Sequence, residues 1–170
     1  DHVGDRSFDC RSQSGSMIIL NDAPVYWRSK KQPVTALSSA CAEIYALSET
    51  VKEARLFTWR GEELGMQKPS PLSVQVDNAQ AKAFQAGTCV QSKLRGTFDV
   101  RSAWVQELRQ SHDLRILSVK SSDNCADLCT KAHKTARFKQ LLSLIVSKVN
   151  TKVIQESAMM AMVAVAEHYK

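Results

Sequence analysis

Apolar residues fall along this 170-residue chain in runs of two different periods. Ser16 to Leu20 and Val25-Tyr26-Trp27 are short β-type runs, and Asn21-Asp22-Ala23-Pro24 between them supplies turn chemistry. Together they predict a hairpin, followed by a basic, polar loop, Arg28-Ser29-Lys30-Lys31-Gln32-Pro33. The period then changes. Ile44, Leu47, Val51, Ala54 and Thr58 recur at spacings of three and four, with Glu49, Lys52, Glu53 and Arg55 between them. That spacing predicts an amphipathic helix. Ser38 or Ser39 can cap its start, Gly61 or Gly65 can end it, and Pro69 forbids its continuation. Leu72 to Val76 alternates like a half-buried strand. Asp77-Asn78 closes it and can cap a short helix over 79–86.

After a polar, basic connection over 88–96, a helix is expected over 99–110, with Val100, Trp104 (or Ala103) and Leu108 inward. Leu114 to Val119 alternates and is rich in β-formers, which predicts a strand. Ser121-Ser122-Asp123-Asn124 is a capping cluster before an expected helix over 126–133. A further helix over 137–149 carries Phe138, Leu141, Leu142, Ile145 and Val149. The Ala- and Met-rich tail from Val153 is expected to be helical. The fold class is therefore α/β, a layered domain with helices packed on a sheet over 1–149, and a C-terminal helical extension over 150–170. A two-stranded ribbon is a poor sheet for so much helix, so a further strand is expected just ahead of the hairpin, upstream of residue 1.

Composition narrows the reading. At 44% hydrophobic and 24% charged, the chain can bury a core, and 6% aromatic residues exclude an aromatic-rich sugar-binding surface. Lys and Arg number 23 against 17 acids, so the net charge of +6 permits a polyanionic partner. No run approaches the roughly 20 apolar residues that span a bilayer, and no membrane partner is expected. The chain opens on Asp1-His2-Val3-Gly4 and reads as a piece of something longer. Its 5 scattered cysteines fit reduced, intracellular thiols better than a disulfide framework. No G-x-S-x-G and no Gly-rich phosphate loop is present, so no small-molecule cofactor is expected. Cys125, Cys129 and His133 share one helical face, but structural zinc wants four ligands, and buried cysteine packing is the favoured reading.

Three acids stand where strands end and helices begin. Glu43 lies in the first turns of the long helix, Asp77 ends an apolar strand, and Asp127 follows a strand and a capping cluster. Singly, each also reads as a cap or an acid favoured by the helix dipole. Jointly they can converge at one sheet edge, where clustered carboxylates need a cation. Oxygen-only donors suit Mg²⁺, and two such ions about 3.5–4 Å apart can activate water against a phosphodiester.

The motifs in order carry a resemblance. Arg11-Ser12-Gln13-Ser14-Gly15, Trp27-Arg28-Ser29-Lys30-Lys31-Gln32-Pro33, Ala36-Leu37-Ser38-Ser39 with Ala42-Glu43, Val76-Asp77-Asn78 and Ala126-Asp127-Leu128-Cys129-Thr130-Lys131 follow one another in register. Over roughly residues 1–135 the chain resembles the ribonuclease H domains of copia-type retrotransposon Pol polyproteins. The resemblance implies a ribonuclease H-like fold, a mixed central sheet flanked by helices. It also implies Mg²⁺-dependent hydrolysis of the RNA strand of RNA–DNA hybrids during reverse transcription, by two ions, with Mn²⁺ as a substitute. Glu43, Asp77 and Asp127 would be catalytic and metal-ligating: Asp77 on both ions, Glu43 on one, Asp127 on the second. The family's first strand ends in another catalytic Asp. Asp1 takes that place if the match carries a gap; otherwise that Asp lies just upstream. The expected hybrid-binding residues are Arg28, Lys30, Lys31, Asn78, Lys93, Arg95 and Lys131. The reverse transcriptase domain of the same polyprotein is the implied protein partner, and a cytoplasmic virus-like particle or the nucleus the implied location. A chain lacking the first Asp reads instead as a catalytically inactive remnant, a structural or nucleic-acid-binding module.

Overall fold

A computed structural model describes residues 11–20, 23–33, 35–36, 39–68, 70–77, 97–146 and 162–168. The hairpin is β1 (Gln13–Leu20) with β2 (Ala23–Lys31), antiparallel. It is longer than its apolar runs, because the ladder continues through Arg28 opposite Ser16 and Lys31 opposite Gln13. Arg28, Lys30 and Lys31 thus lie on a strand and not in the expected loop. β2 is an edge of the sheet, and charge on an edge strand discourages pairing with other chains. Trp27 is 64% exposed there.

Helix α1 (Ser39–Glu63) buries the whole stripe of Ile44, Leu47, Val51, Ala54 and Thr58. Its end is a Schellman arrangement: Met66 N–H donates to Gly61 O (2.9 Å), Gly65 N–H donates to Glu62 O (2.9 Å), and Gly65 takes φ 80°. β3 (Leu72–Asp77) follows, then α2 (Thr97–Gln110) and β4 (Leu114–Val119). The expected inward face of α2 needs correction. Ser102, Val105 and Leu108 are buried and Trp104 partly so, whereas Val100 is exposed. The contact with α1 sets this phase: the Arg101 guanidinium meets Glu49 Oε1 at 2.7 Å and lies 4.3 Å from the Tyr45 ring centroid. Burial is the main reason the Tyr45 hydroxyl is pushed above its ordinary pKa; nearby Glu49 adds to it, and Arg101 and Arg28 oppose it.

Two 3₁₀ turns, Ser121–Asp123 and Cys125–Cys129, replace the helix expected over 126–133. Thr130 closes the second turn, its N–H and hydroxyl both donating to Asp127 O at 3.1 Å. α3 (Thr135–Val146) comes next, burying Leu141 and Ile145 and leaving Phe138 and Leu142 exposed. The expected helix over 79–86 and Val149 lie outside the described residues.

The largest difference lies in the tail. Met162–His168, expected to be helical, is strand β5. Sheet order is β2-β1-β5-β3-β4, so β5 is central, antiparallel to β1 and parallel to β3. Ala and Met are good helix formers, but propensity is a weak prior: the segment also carries Val163 and Val165, and two open ladders on either side override the preference. β5 pairs with β1 on the side away from β2; the strand expected ahead of the hairpin lies outside the described residues.

Successive residues of β1 serve the two faces of the sheet. Ile18 joins α1, β3, α2 and β4 residues such as Leu47, Val74, Val105 and Ile116 in the larger core. Met17 joins Cys125 and Ile145 in a smaller core on the other face. On that face the turn Cys125–Cys129 presses against β1. A Cβ on Gly15 would stand 2.6 Å from Thr130 Cγ2 and 2.8 Å from both Ala126 O and Cys129 Cβ. Ala166 is the β5 partner of Gly15 in register. Among the described residues no helix is long and apolar enough to cross a membrane.

Two substitutions test this architecture. Gly15→Ala is expected to destabilise by about 1–3 kcal/mol through overpacking, read by urea denaturation. Val165 pairs with both Ser16 and Val76, and proline cannot donate to a ladder. Val165→Pro is therefore expected to speed amide exchange in β1 and β3 alike, whereas a peripheral β5 would leave one of them protected.

Candidate functional site

Strand register collects particular residues at one end of the sheet. Lys31 at the end of β2 pairs with Gln13, and Gln13 pairs with His168 near the end of β5. β5 runs parallel to β3, and Asp77 at the end of β3 pairs with Val119 at the end of β4. In open α/β sheets the ligand crevice lies outside the carboxyl ends of parallel strands. The first turns of α1 reach the same end. Gln32, buried to 1% exposure, donates through Nε2 to Ser14 Oγ (2.8 Å) and to Ala42 O (3.0 Å), which places Glu43 beside this rim.

Asp77 is half-buried, and its Oδ2 accepts a hydrogen bond from the Ser121 hydroxyl at the start of the first 3₁₀ turn. Asp127, in the second turn, is buried at 7% exposure. Its Oδ2 lies 3.1 Å from Lys131 Nζ and 3.8 Å from Arg137 Nη2. Arg137 also donates to Ser121 O and Ser122 O, each at 2.6 Å. A continuous polar chain therefore runs from Asp77 through Ser121 and Arg137 to Asp127 and Lys131. Between the turns, the buried Asn124 accepts through Oδ1 from Ala126 N–H at 3.2 Å. His133 Nε2 lies 2.9 Å from Asp127 O.

The structure thus joins Asp77 and Asp127 in one network and holds Glu43 on the neighbouring helix at the same end. Among the described residues no three His, Cys, Asp or Glu side chains are grouped closely enough to hold a metal ion. Arg28 pairs with Glu53 at 2.7 Å, while Lys30 and Lys31 are exposed. Cys125 packs against Met17 and Ile145, and burial pushes the Cys129 thiol above its ordinary pKa, so it is held neutral. Asp1, Asn78, Lys93 and Arg95 lie outside the described residues. Sequence reasoning missed Ser121, Gln32 and Arg137 as site residues. Ser121 carried a signal, as part of a polar cluster after a strand, but it read as a helix cap. Arg137 carried none, because its partners lie on other elements.

Fold and rim together define a mixed α/β domain with carboxylates at the strand ends. No family model matches the chain, and no solved structure matches it. Curated relatives are informative. The retrovirus-related Pol polyprotein from transposon TNT 1-94 of Nicotiana tabacum is 27% identical over 135 residues, 79% of this chain and 10% of the relative. The Pol polyprotein from transposon RE1 of Arabidopsis thaliana is 28% identical over 145 residues, 85% of this chain and 10% of the relative. That from transposon RE2 of the same plant is 29% identical over 138 residues, 81% and 9%. The chain spans about a tenth of the length of these relatives. Over most of its own length it is similar to one segment of retrotransposon Pol polyproteins.

Asn124 fixes the turn that presents Asp127. Asn124→Ala is expected to lower stability by about 1 kcal/mol, as loss of a capping side chain does, measured as a lower urea midpoint with an unchanged slope.

Proposed function

We propose that this chain is a ribonuclease H-type domain of a copia-like retrotransposon Pol polyprotein, hydrolysing the RNA strand of RNA–DNA hybrids with Mg²⁺ during reverse transcription. The observation that carries this reading is the link between Asp77 and Asp127 at one end of the sheet, made by hydrogen bonds through Ser121 to Arg137 and by the ion pair of Arg137 with Asp127. Similarity to transposon Pol polyproteins supports the origin. The mixed five-stranded sheet with helices on both faces supports a ribonuclease H-like fold.

The donors suit the ion. Both are carboxylates, hard oxygen ligands, and Mg²⁺ is commonly held by one or two carboxylates with waters and substrate phosphates, not by an all-protein cage. Among the described residues no three carboxylates are grouped closely enough to form such a cage, which fits that mode. Asp77 would ligate both ions, Asp127 the second and Glu43 the other, with Asp1 joining in the gapped match. When bound, the ions lower the pKa of a water and stabilise the leaving oxygen of the phosphodiester. Ser121 orients the Asp77 carboxylate. Lys131 and Arg137 hold the charge of Asp127 while no cation does, and Lys131 is then near enough to the rim to meet a phosphate.

Lys30 and Lys31 stand at the same end of the sheet and would contact the hybrid backbone; Asn78, Lys93 and Arg95 are further proposed contacts. Arg28, already paired with Glu53, contributes less. Such contacts position a duplex without reading sequence, so binding weakens as salt rises. The reverse transcriptase domain of the same polyprotein is the proposed protein partner. The ion pairs on Asp127 favour a second reading, a module that binds hybrid without cutting it.

Release of labelled RNA from an RNA–DNA hybrid decides between them. The proposal expects Mg²⁺-dependent release that falls in Asp77→Asn and in Asp127→Asn by more than the about 10–100-fold that loss of an outer-shell partner costs. Equal release by the parent chain and both variants overturns the site assignment. Salt-sensitive binding with no release in any of them selects the second reading.

A further inference from the structure

We infer that Arg137 is a positioning residue that sets the separation of the two rim carboxylates, an inference that rests on the proposed metal-dependent reading of the rim. Its guanidinium sits between two backbone segments that share no ladder. Nη1 donates to Ser122 O and Nη2 to Ser121 O, both at 2.6 Å. Ser121 in turn holds Asp77 through its hydroxyl. The same Nη2 stands 3.8 Å from Asp127 Oδ2, beyond hydrogen-bond length, so that contact is one of charge alone. Lys131 makes the closer contact with Asp127, at 3.1 Å.

This division of labour identifies what Arg137 uniquely supplies. A lysine elsewhere already neutralises Asp127. No lysine offers two parallel N–H groups in a rigid plane to two successive carbonyls. Gln140, on the same helix, accepts from Nη1 at 3.0 Å and steadies the head. The placement also runs against local preference. Arg137 lies in the first turn of α3, a turn without an acid, where the helix dipole disfavours a cation. The tertiary bonds to the Ser121–Asp123 turn account for a cation there. Any ion held by Asp77 and Asp127 would depend on this spacing, as ions depend on the partners of their ligands.

The test uses the full chain and the variants Arg137→Lys and Arg137→Gln. Amide exchange is followed, without added metal, at Asp123 and Asp127, whose N–H groups donate to Lys120 O and Asn124 O. Val74 and Val76 amides serve as the folding control. Mn²⁺ alone is then titrated and followed by its paramagnetic broadening of rim resonances. Positioning predicts that both variants exchange about tenfold faster in the turns with the control unchanged. It also predicts half-saturating Mn²⁺ raised about 10–100-fold in both. If Arg137 acts only as a competing charge, Arg137→Lys keeps parental exchange and Arg137→Gln binds Mn²⁺ more tightly; that pair of results overturns the inference. Accelerated turn exchange in a chain that binds no Mn²⁺ at all supports the positioning role and rejects the metal-dependent reading instead.

Discussion

One seam holds the sheet together. β1 and β2 form one ladder, β3 and β4 another, and among the described residues β5 joins them. Without it, two ribbons would each present an unpaired row of N–H and C=O groups to the middle of the domain, and buried polar groups left unpaired are costly. The rim inherits this dependence. Asp77 belongs to the β3 side, while the turn that presents Asp127 presses on β1 at Gly15. The two acids are linked at one end of the sheet because a central strand holds the two halves in register, and α1 packs across both.

Local pattern revealed much of this layout, and the reasons for its failures are instructive. The stripe from Ile44 to Thr58 is self-sufficient: its spacing, its flanking charges and Gly65 agree on one helix, and that helix forms. Leu114 to Val119 is equally consistent and matches its strand. Val100 misled because an apolar residue at helical spacing reads as inward, while the actual phase is set by Arg101 reaching Glu49 and Tyr45 on another helix. The tail misled for the same reason at larger scale. Helix propensity carries no strong instruction, so the neighbours of the slot decide, and those neighbours lie far off in sequence. The helix expected around Asp127 is a 3₁₀ turn, whereas the place of Asp77 at a strand end was legible. The groups that tie them together were not, since Ser121 and Arg137 gain meaning only once β4 and α3 are docked.

Charge at the rim is balanced within the protein. Asp127 is nearly buried, and a buried carboxylate without a partner is strongly disfavoured; Lys131 and Arg137 supply that partner. A divalent cation would compete with them for the same oxygen. The cost of displacing Lys131 is modest, because its side chain is 31% exposed and can return to water. Arg137 differs, being anchored by its two carbonyl bonds. Lys131 can therefore leave Asp127 more readily than Arg137 can leave the turn that it holds.

The central slot is also selective about what can fill it. Direction is dictated first: a strand there must run against β1 and along β3. The walls on the two faces differ. On the α1 face, Ile18 and Val74 belong to the larger core, and Val163 is the register partner of both. On the opposite face the turn Cys125–Cys129 comes so close to Gly15 that a methyl group already clashes. Ala166 and Ala164 are the register partners of Gly15 and Met17 on that face. A strand in that slot must satisfy both ladders at once: Val163 pairs with Ile18 and with Val74, and Val165 with Ser16 and with Val76. That agreement between two ladders explains how a segment distant in sequence holds the middle of the sheet.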